Sequence, residues 1–184
     1  MRAAFLGFDG CAIWQVALLQ MFLCNAGWAI ETMSSDGNEI LTDGGLTLQP
    51  NRSLEDAVGA DYDLILMAGG DVPDALLGSE SLRRFLADCR GLIAASCASA
   101  VLVGAAGLIT GNYTCMNNTA KQYQDCFKDG TYVDTDVCIS NRIVTSKGHA
   151  HYDFMMAVLE AVGLTVADAK LPRIALKLSK NQPA

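Results

Sequence analysis

Basic residues are scarce in this 184-residue chain: 13 Lys and Arg stand against 20 Asp and Glu, for a formal net charge of −7. No Lys/Arg cluster stands out to meet phosphates, which argues against a nucleic-acid partner and against a polybasic membrane patch. Charge of either sign is thin, at 18% of residues, while 51% are hydrophobic. That balance excludes a disordered chain and can fill a sizeable core. Proline occurs only four times, and no linker, internal repeat or low-complexity tract divides the sequence, so a single domain over residues 1–184 is expected. No Walker motif and no G-x-G-x-x-G follows an apolar run, which leaves no phosphate-cradling loop.

The seven cysteines (Cys11, Cys24, Cys89, Cys97, Cys115, Cys126 and Cys138) include no C-x-x-C pair. Zinc fingers and thioredoxin-type redox pairs are therefore excluded at these spacings. An odd count in a chain oily enough to fold unaided fits free thiols in a reducing cytoplasm, where Cys packs as a small hydrophobe. No secretory signal is legible, because Asp9 interrupts the first apolar run. From Gly10 to Ile30 there is no charge at all, yet Gln15, Gln20, Asn25 and Gly27 fall within the stretch. It reads as a buried helix and a following strand rather than a membrane span.

Short apolar runs alternate with helical spacing, the pattern of a mostly parallel sheet covered on both faces. Strands are expected at Ala3–Leu6, Trp28–Met33, Leu64–Met67, Leu92–Ala95, Val137–Ile139 and Arg142–Thr145. Helices are expected over about Ile13–Cys24, Ser79–Cys89, Val101–Ala106, Ala120–Phe127 and Tyr152–Val162. Ser79 suits an N-cap. Asn38–Leu48 reads as a hairpin turning at Asp43-Gly44-Gly45, and the polar tail after Lys170 reads as a late addition to the core.

The sharpest local feature is Leu92-Ile93-Ala94-Ala95-Ser96-Cys97-Ala98-Ser99-Ala100. A buried strand that runs into one Cys and then at once into a helix, with only small neighbours, is the pattern of a nucleophile elbow. The turn strains the nucleophile's backbone, so its flanks must be small. The helix N-terminus behind it offers N–H groups that favour a thiolate and can hold an oxyanion. Ala98 is the expected donor there, and Gly70, after Gly69 at the end of the preceding strand, is a second. The other six cysteines read as core thiols. The only two histidines lie in Gly148-His149-Ala150-His151, at a strand end that a parallel sheet would turn toward the same crevice. Either could serve Cys97 as a base; a metal site of His149, His151 and Asp153 is disfavoured because three ligands in five loop residues seldom converge.

Phe8-Asp9-Gly10, Leu64 to Gly70, Gly91 to Ala98, Leu108-Ile109-Thr110-Gly111 and Ile143 to Gly148, in this order, resemble the ThiJ/PfpI family. That family sits in the class I glutamine-amidotransferase-like superfamily, with the parkinsonism-associated deglycase and isocyanide hydratase. The resemblance runs from about Arg2 to Gly163. It implies a flavodoxin-like three-layer α/β/α sandwich, commonly a homodimer, with a reactive elbow Cys. It also implies an acidic partner five residues after the first-turn Gly, where this chain has Gln15, and nothing acidic lies between Asp9 and Glu31. Gln can donate a hydrogen bond to a thiolate but cannot shuttle a proton. The His that some members place after the Cys is Ala98 here, and the His that others place at a later strand end falls at Met116 or Asn117. In glutamine amidotransferases a His-x-Glu pair activates the Cys; this chain offers His-x-His. Two functions are thus expected as alternatives. One is a cysteine-dependent hydrolase or hydratase of a small carbonyl or amide compound, with no metal or organic cofactor. The other is a redox-responsive or ligand-binding protein without turnover.

Overall fold

Apolar runs with no polar face can only be buried on both sides, and that fixes the middle of the molecule. The computed structural model describes residues 1–180. Its strands are β1 (Arg2–Leu6), β2 (Ala29–Ser34), β3 (Ile40–Leu41), β4 (Thr47–Leu48), β5 (Arg52–Ser53), β6 (Leu64–Met67), β7 (Leu92–Ser96), β8 (Asn112–Tyr113), β9 (Thr131–Tyr132), β10 (Val137–Ser140) and β11 (Ile143–Ser146). The helices are α1 (Ala17–Asn25), α2 (Asp74–Leu77), α3 (Glu80–Asp88), α4 (Ala100–Ala105), α5 (Asn117–Gln122), α6 (His151–Ala161), α7 (Leu164–Ala167) and α8 (Leu171–Lys180).

Seven strands form one sheet in the order β10-β11-β7-β6-β1-β2-β5, parallel throughout except for the antiparallel β10–β11 pair. The fold is a flavodoxin-like α/β/α sandwich. Ala3–Leu6, Leu64–Met67 and Ile93–Ser96 are buried at the centre, and the small Ala94 and Ala95 let helices pack close over β7. Helix α6 lies against β7, β10 and β11 and touches α1 and α8; α4 packs against β7 and α2. Ser79 caps α3 as expected, its Oγ accepting the Leu82 N–H at 3.2 Å, worth about 1 kcal/mol.

The expected helix over Ile13–Cys24 is two pieces. Ile13–Gln15 forms a 3₁₀ turn, Val16 breaks away at φ −126°, and α1 starts at Ala17. The cause is tertiary: the Ala12 N–H donates to the Gly69 carbonyl at 2.8 Å, which pins the entry to the helix against the end of β6. The hairpin within Asn38–Leu48 is the β3–β4 pair. The tail after Lys170 is more than a polar addition: α8 buries Leu171 and Ala175, four residues apart on one face. Its last four residues, 181–184, lie outside the described residues. The β8–β9 pair and β5 carry no legible period, being two residues long each.

Strand order reverses between β1 and β6, since β2 lies on one side of β1 and β6 on the other. In an open parallel sheet such a reversal opens a crevice at the strands' carboxyl ends. The loops after β1 and β6 are stitched across it by an isolated bridge between Cys11 and Gly70. The ends of β7 and β11, in register at Ser96 and Ser146, lie next along the sheet.

Candidate functional site

Cys97 is the first residue past β7, and its φ is +57°. For a side chain other than Gly, Asn or Asp this left-handed backbone costs roughly 1–2 kcal/mol. The surroundings hold it there. The Ser99 hydroxyl reaches back to the Ser96 carbonyl at 2.8 Å and to the Met67 carbonyl at 3.2 Å, tying the elbow to the end of β6. From the other side Ser146 Oγ donates to Ser96 Oγ at 3.2 Å. Helix α4 begins three residues later.

Gln15 is buried beside the thiol. Its Oε1 accepts the Gly69 N–H at 2.8 Å, so the amide nitrogen is the atom turned toward Cys97, where it favours the thiolate. Two backbone N–H groups, of Ala98 and Gly148, favour it as well. The glycines are required by contact: a Cβ on Gly69 would lie 2.5 Å from Cys97 Cβ and 2.9 Å from Gln15 Oε1. A Cβ on Gly148 would lie 2.9 Å from Cys97 Sγ and 3.2 Å from Gln15 Nε2. Burial pushes the Cys97 thiol above its ordinary value, opposed by the Ala98 N–H, the Gln15 amide and the Gly148 N–H in that order. Burial wins, so the resting group is a thiol surrounded by donors placed for an anion. The buried Cys115 is pushed further, to about 12, by its own burial and by neighbouring Cys97.

Of the residues expected at the site, Cys97, Gln15 and Ala98 meet at the sulfur. Gly70 sits at the crevice with φ +135°, a conformation only glycine takes easily, and its N–H donates to no backbone acceptor among the described residues. The two histidines part company. His149 is exposed and its Nε2 lies 3.2 Å from Asp136 Oδ1. His151, at the start of α6, packs edge-on against Trp14 with ring centroids 5.7 Å apart, and its Nδ1 is buried with no protein partner among the described residues. Neither imidazole is among the groups that hydrogen-bond Cys97. Gly148 was not singled out as a contact from sequence, although a glycine placed directly before the His pair was a legible signal; the Gly69-Gly70 pair was read for close backbone approach, and Gly69 makes it. Among the described residues no three His, Cys, Asp or Glu side chains gather to hold a metal, and no helix is long and apolar enough to cross a membrane.

A hollow of about 390 Å³ opens nearby between Phe8, Asp9, Asp36, Glu39 and the Pro73–Ser79 segment. It does not take in Cys97, whose own surroundings are filled by Gln15, Gly69 and Gly148.

A doubly wound sheet with a strained thiol at its elbow and N–H donors converging on the sulfur defines a class of cysteine-centred α/β proteins. The chain belongs to the DJ-1/PfpI family, whose model matches residues 1–161. It is 29% identical over 124 residues to the glutathione-independent glyoxalase DJR-1.2 of Caenorhabditis elegans, an alignment spanning 64% of this chain and 64% of that protein's length. Among solved structures it resembles a DJ-1 superfamily protein from Agrobacterium tumefaciens, with a TM-score of 0.81 and 25% identity over 97% of this chain and 99% of that one. Schizosaccharomyces pombe DJ-1 shares the fold over the full length of both chains, with a TM-score of 0.79 and 16% identity.

Proposed function

We propose that the protein is a cysteine-dependent enzyme acting on a small carbonyl compound, with a 2-oxoaldehyde as the first substrate class to test. The observation that carries this reading is the set of three donors, Ala98 N–H, Gly148 N–H and the Gln15 amide, directed at one strained thiol. The named activity of the C. elegans relative adds the carbonyl class. Crowding by Gln15, Gly69 and Gly148 favours a substrate of few atoms.

In this reading Cys97 Sγ adds to the aldehyde carbon and its proton passes to a base. The carbonyl π pair becomes an oxyanion held by the Gly70 and Ala98 N–H groups. Moving the aldehyde proton to the adjacent carbonyl through an enediol turns the hemithioacetal into a 2-hydroxy thioester. Water then releases a 2-hydroxy acid and restores the thiol, for a net addition of one water to the substrate. Gln15 cannot carry these protons. His151, whose Nδ1 has no protein partner among the described residues, is the base we assign, in preference to His149, which Asp136 engages. Purified protein mixed with methylglyoxal should consume it and form a 2-hydroxy acid; Cys97→Ser should abolish this and His151→Ala should slow it. Absence of consumption by the wild type would overturn the reading.

One observation favours a second reading, a redox-responsive protein without turnover. The amide of Gln15 is locked as a donor toward sulfur, which suits the oxygens of an oxidised Cys97 as well as it suits a thiolate. Peroxide treatment followed by intact-mass analysis should then add oxygen at Cys97 at concentrations that spare the other cysteines.

We also propose a homodimer in a reducing, cytoplasmic compartment. Trp14 is 52% exposed beside the uncharged α1, where Met21 is exposed too, and all seven cysteines are free. Sedimentation at micromolar concentration checks the dimer.

A further inference from the structure

The donor on Cys97 that arrives from farthest along the sheet is the Gly148 N–H. It sits on a four-residue turn after β11, closed by the Ala150 N–H donating to the Lys147 carbonyl at 3.1 Å. A turn of this length with a glycine at the contact has little stiffness of its own. What holds it lies on the adjoining segment that leads into β10. The Lys147 N–H donates to the Asp136 carbonyl at 2.9 Å, which extends the β10–β11 ladder past its last paired residues. Lys147 Nζ reaches Asp134 Oδ1 at 2.6 Å and Asp136 Oδ1 at 3.9 Å. His149 Nε2 reaches the same Asp136 Oδ1 at 3.2 Å. The residues immediately before and after Gly148 therefore both meet Asp136, Lys147 through the backbone bond and a 3.9 Å ion pair and His149 through the carboxylate, on the segment that leads into β10.

Resting on the reading of Cys97 as the reactive centre, we propose that Asp136 is a positioning residue. Through Lys147 and His149 it fixes the Gly148 N–H against Cys97 Sγ, and so sets how readily the thiolate forms. Asp136 touches neither sulfur nor substrate. The charged and titratable groups around it are Lys147, His149, Asp134 and, through Asp134, the Tyr132 hydroxyl at 3.4 Å; Cys115 is the titratable neighbour of Cys97 itself.

The test is the pH profile of Cys97 alkylation by iodoacetamide, read by peptide mass, in wild type, Asp136→Ala and Asp136→Glu. Asp136→Ala should move the midpoint to higher pH and slow alkylation at pH 7 by up to about fivefold, the ceiling set by an exposed ion pair. Asp136→Glu should recover most of the loss. Because the clamp is exposed, 1 M salt should push the wild-type midpoint toward that of Asp136→Ala and leave the variant's in place. A midpoint unchanged in Asp136→Ala, or a salt response equal in the two proteins, would overturn the proposal; a purely structural role would lower thermal stability without moving the midpoint. Alkylation reads the thiolate with or without turnover, so a protein inert toward methylglyoxal that still shows the shift would retain the clamp and lose the catalytic reading.

Discussion

Replacing Gln15 with Leu separates the donor from the space it fills. Leu has nearly the same volume, so packing beside Cys97 is kept while two interactions vanish. One is the 2.8 Å bond from the Gly69 N–H to Oε1, whose loss leaves a buried donor unpaired at a cost of about 1–3 kcal/mol in stability. The other is the hydrogen bond to sulfur, which favours the thiolate over the thiol. A hydrogen bond to a charged group contributes about 1.5–3 kcal/mol, and each 1.36 kcal/mol is tenfold in the thiolate fraction. Losing this donor raises the thiol's pKa further, so alkylation of Cys97 by iodoacetamide at pH 7 should slow by roughly ten- to a hundredfold. The assay is the pseudo-first-order rate of mass gain on the Cys97 peptide, with Cys97→Ser as the blank and thermal melting run in parallel. A melting temperature that falls while the rate stays within about twofold of wild type would refute the reasoning. Gln15 would then brace the β6 loop and nothing more.

Gly148→Ala places a methyl 2.9 Å from Cys97 Sγ and should suppress alkylation and turnover together, checked by the same mass assay. The stability of the protein should fall between about pH 9 and pH 12, because the unfolded chain releases the Cys115 proton through its ordinary range while the folded chain holds it up to about 12. That amounts to about 4 kcal/mol at the upper end, and Cys115→Ala should flatten this part of a urea-unfolding pH series. Tyr62→Phe removes the 2.5 Å bond to Glu31 and should cost about 1–2 kcal/mol at pH 7. Glu31 is held below its usual range by Tyr62 first and then Arg2, so this difference should shrink as pH falls through that lowered value. Thr145→Val strips the acceptor from the buried Thr114 N–H, 2.9 Å away, and should lower stability by about 1–3 kcal/mol in denaturant melts.

The elements that were legible in the sequence are those whose signal is local. Leu64–Met67 and Leu92–Ala95 are apolar on both faces because they lie at the centre of the sheet, and the demand for small neighbours around Cys97 is written directly as Ser-Cys-Ala-Ser. What depends on residues far apart in the chain was not legible. The break at Val16 comes from a bond between Ala12 and Gly69, and the amide of Gln15 takes its direction from that same Gly69. The separation of His149 from His151 has the same origin. One turn of chain sets the two rings apart, one toward Asp136 on the segment before β10 and the other toward Trp14 beside Gln15. Helix α8 escaped because its apolar positions are interrupted by Lys170, Arg173, Lys177 and Lys180, which read as a solvated tail until Leu171 and Ala175 are placed under α6.

The energetics of the site turn on two opposed effects acting on one sulfur. Burial disfavours the thiolate, and three hydrogen-bond donors favour it; burial prevails in the free protein. The same donors act more strongly once negative charge is present, since a charge-assisted bond is roughly twice as strong as a neutral one. A substrate that draws the sulfur into a covalent bond, or an oxidant that adds oxygen to it, therefore meets donors already in place. An acidic partner at position 15 could have supplied the proton transfer as well. With Gln15 there, the amide can stabilise a charge but cannot create one, so activation of Cys97 needs a base from elsewhere in the fold. His151, whose Nδ1 has no partner among the described residues and whose ring packs edge-on against the residue before Gln15, is the base proposed for it. Methylglyoxal turnover measured on His151→Ala therefore distinguishes an enzyme from a sensor: turnover that slows while the melting temperature is kept is the signature of a base used in the reaction.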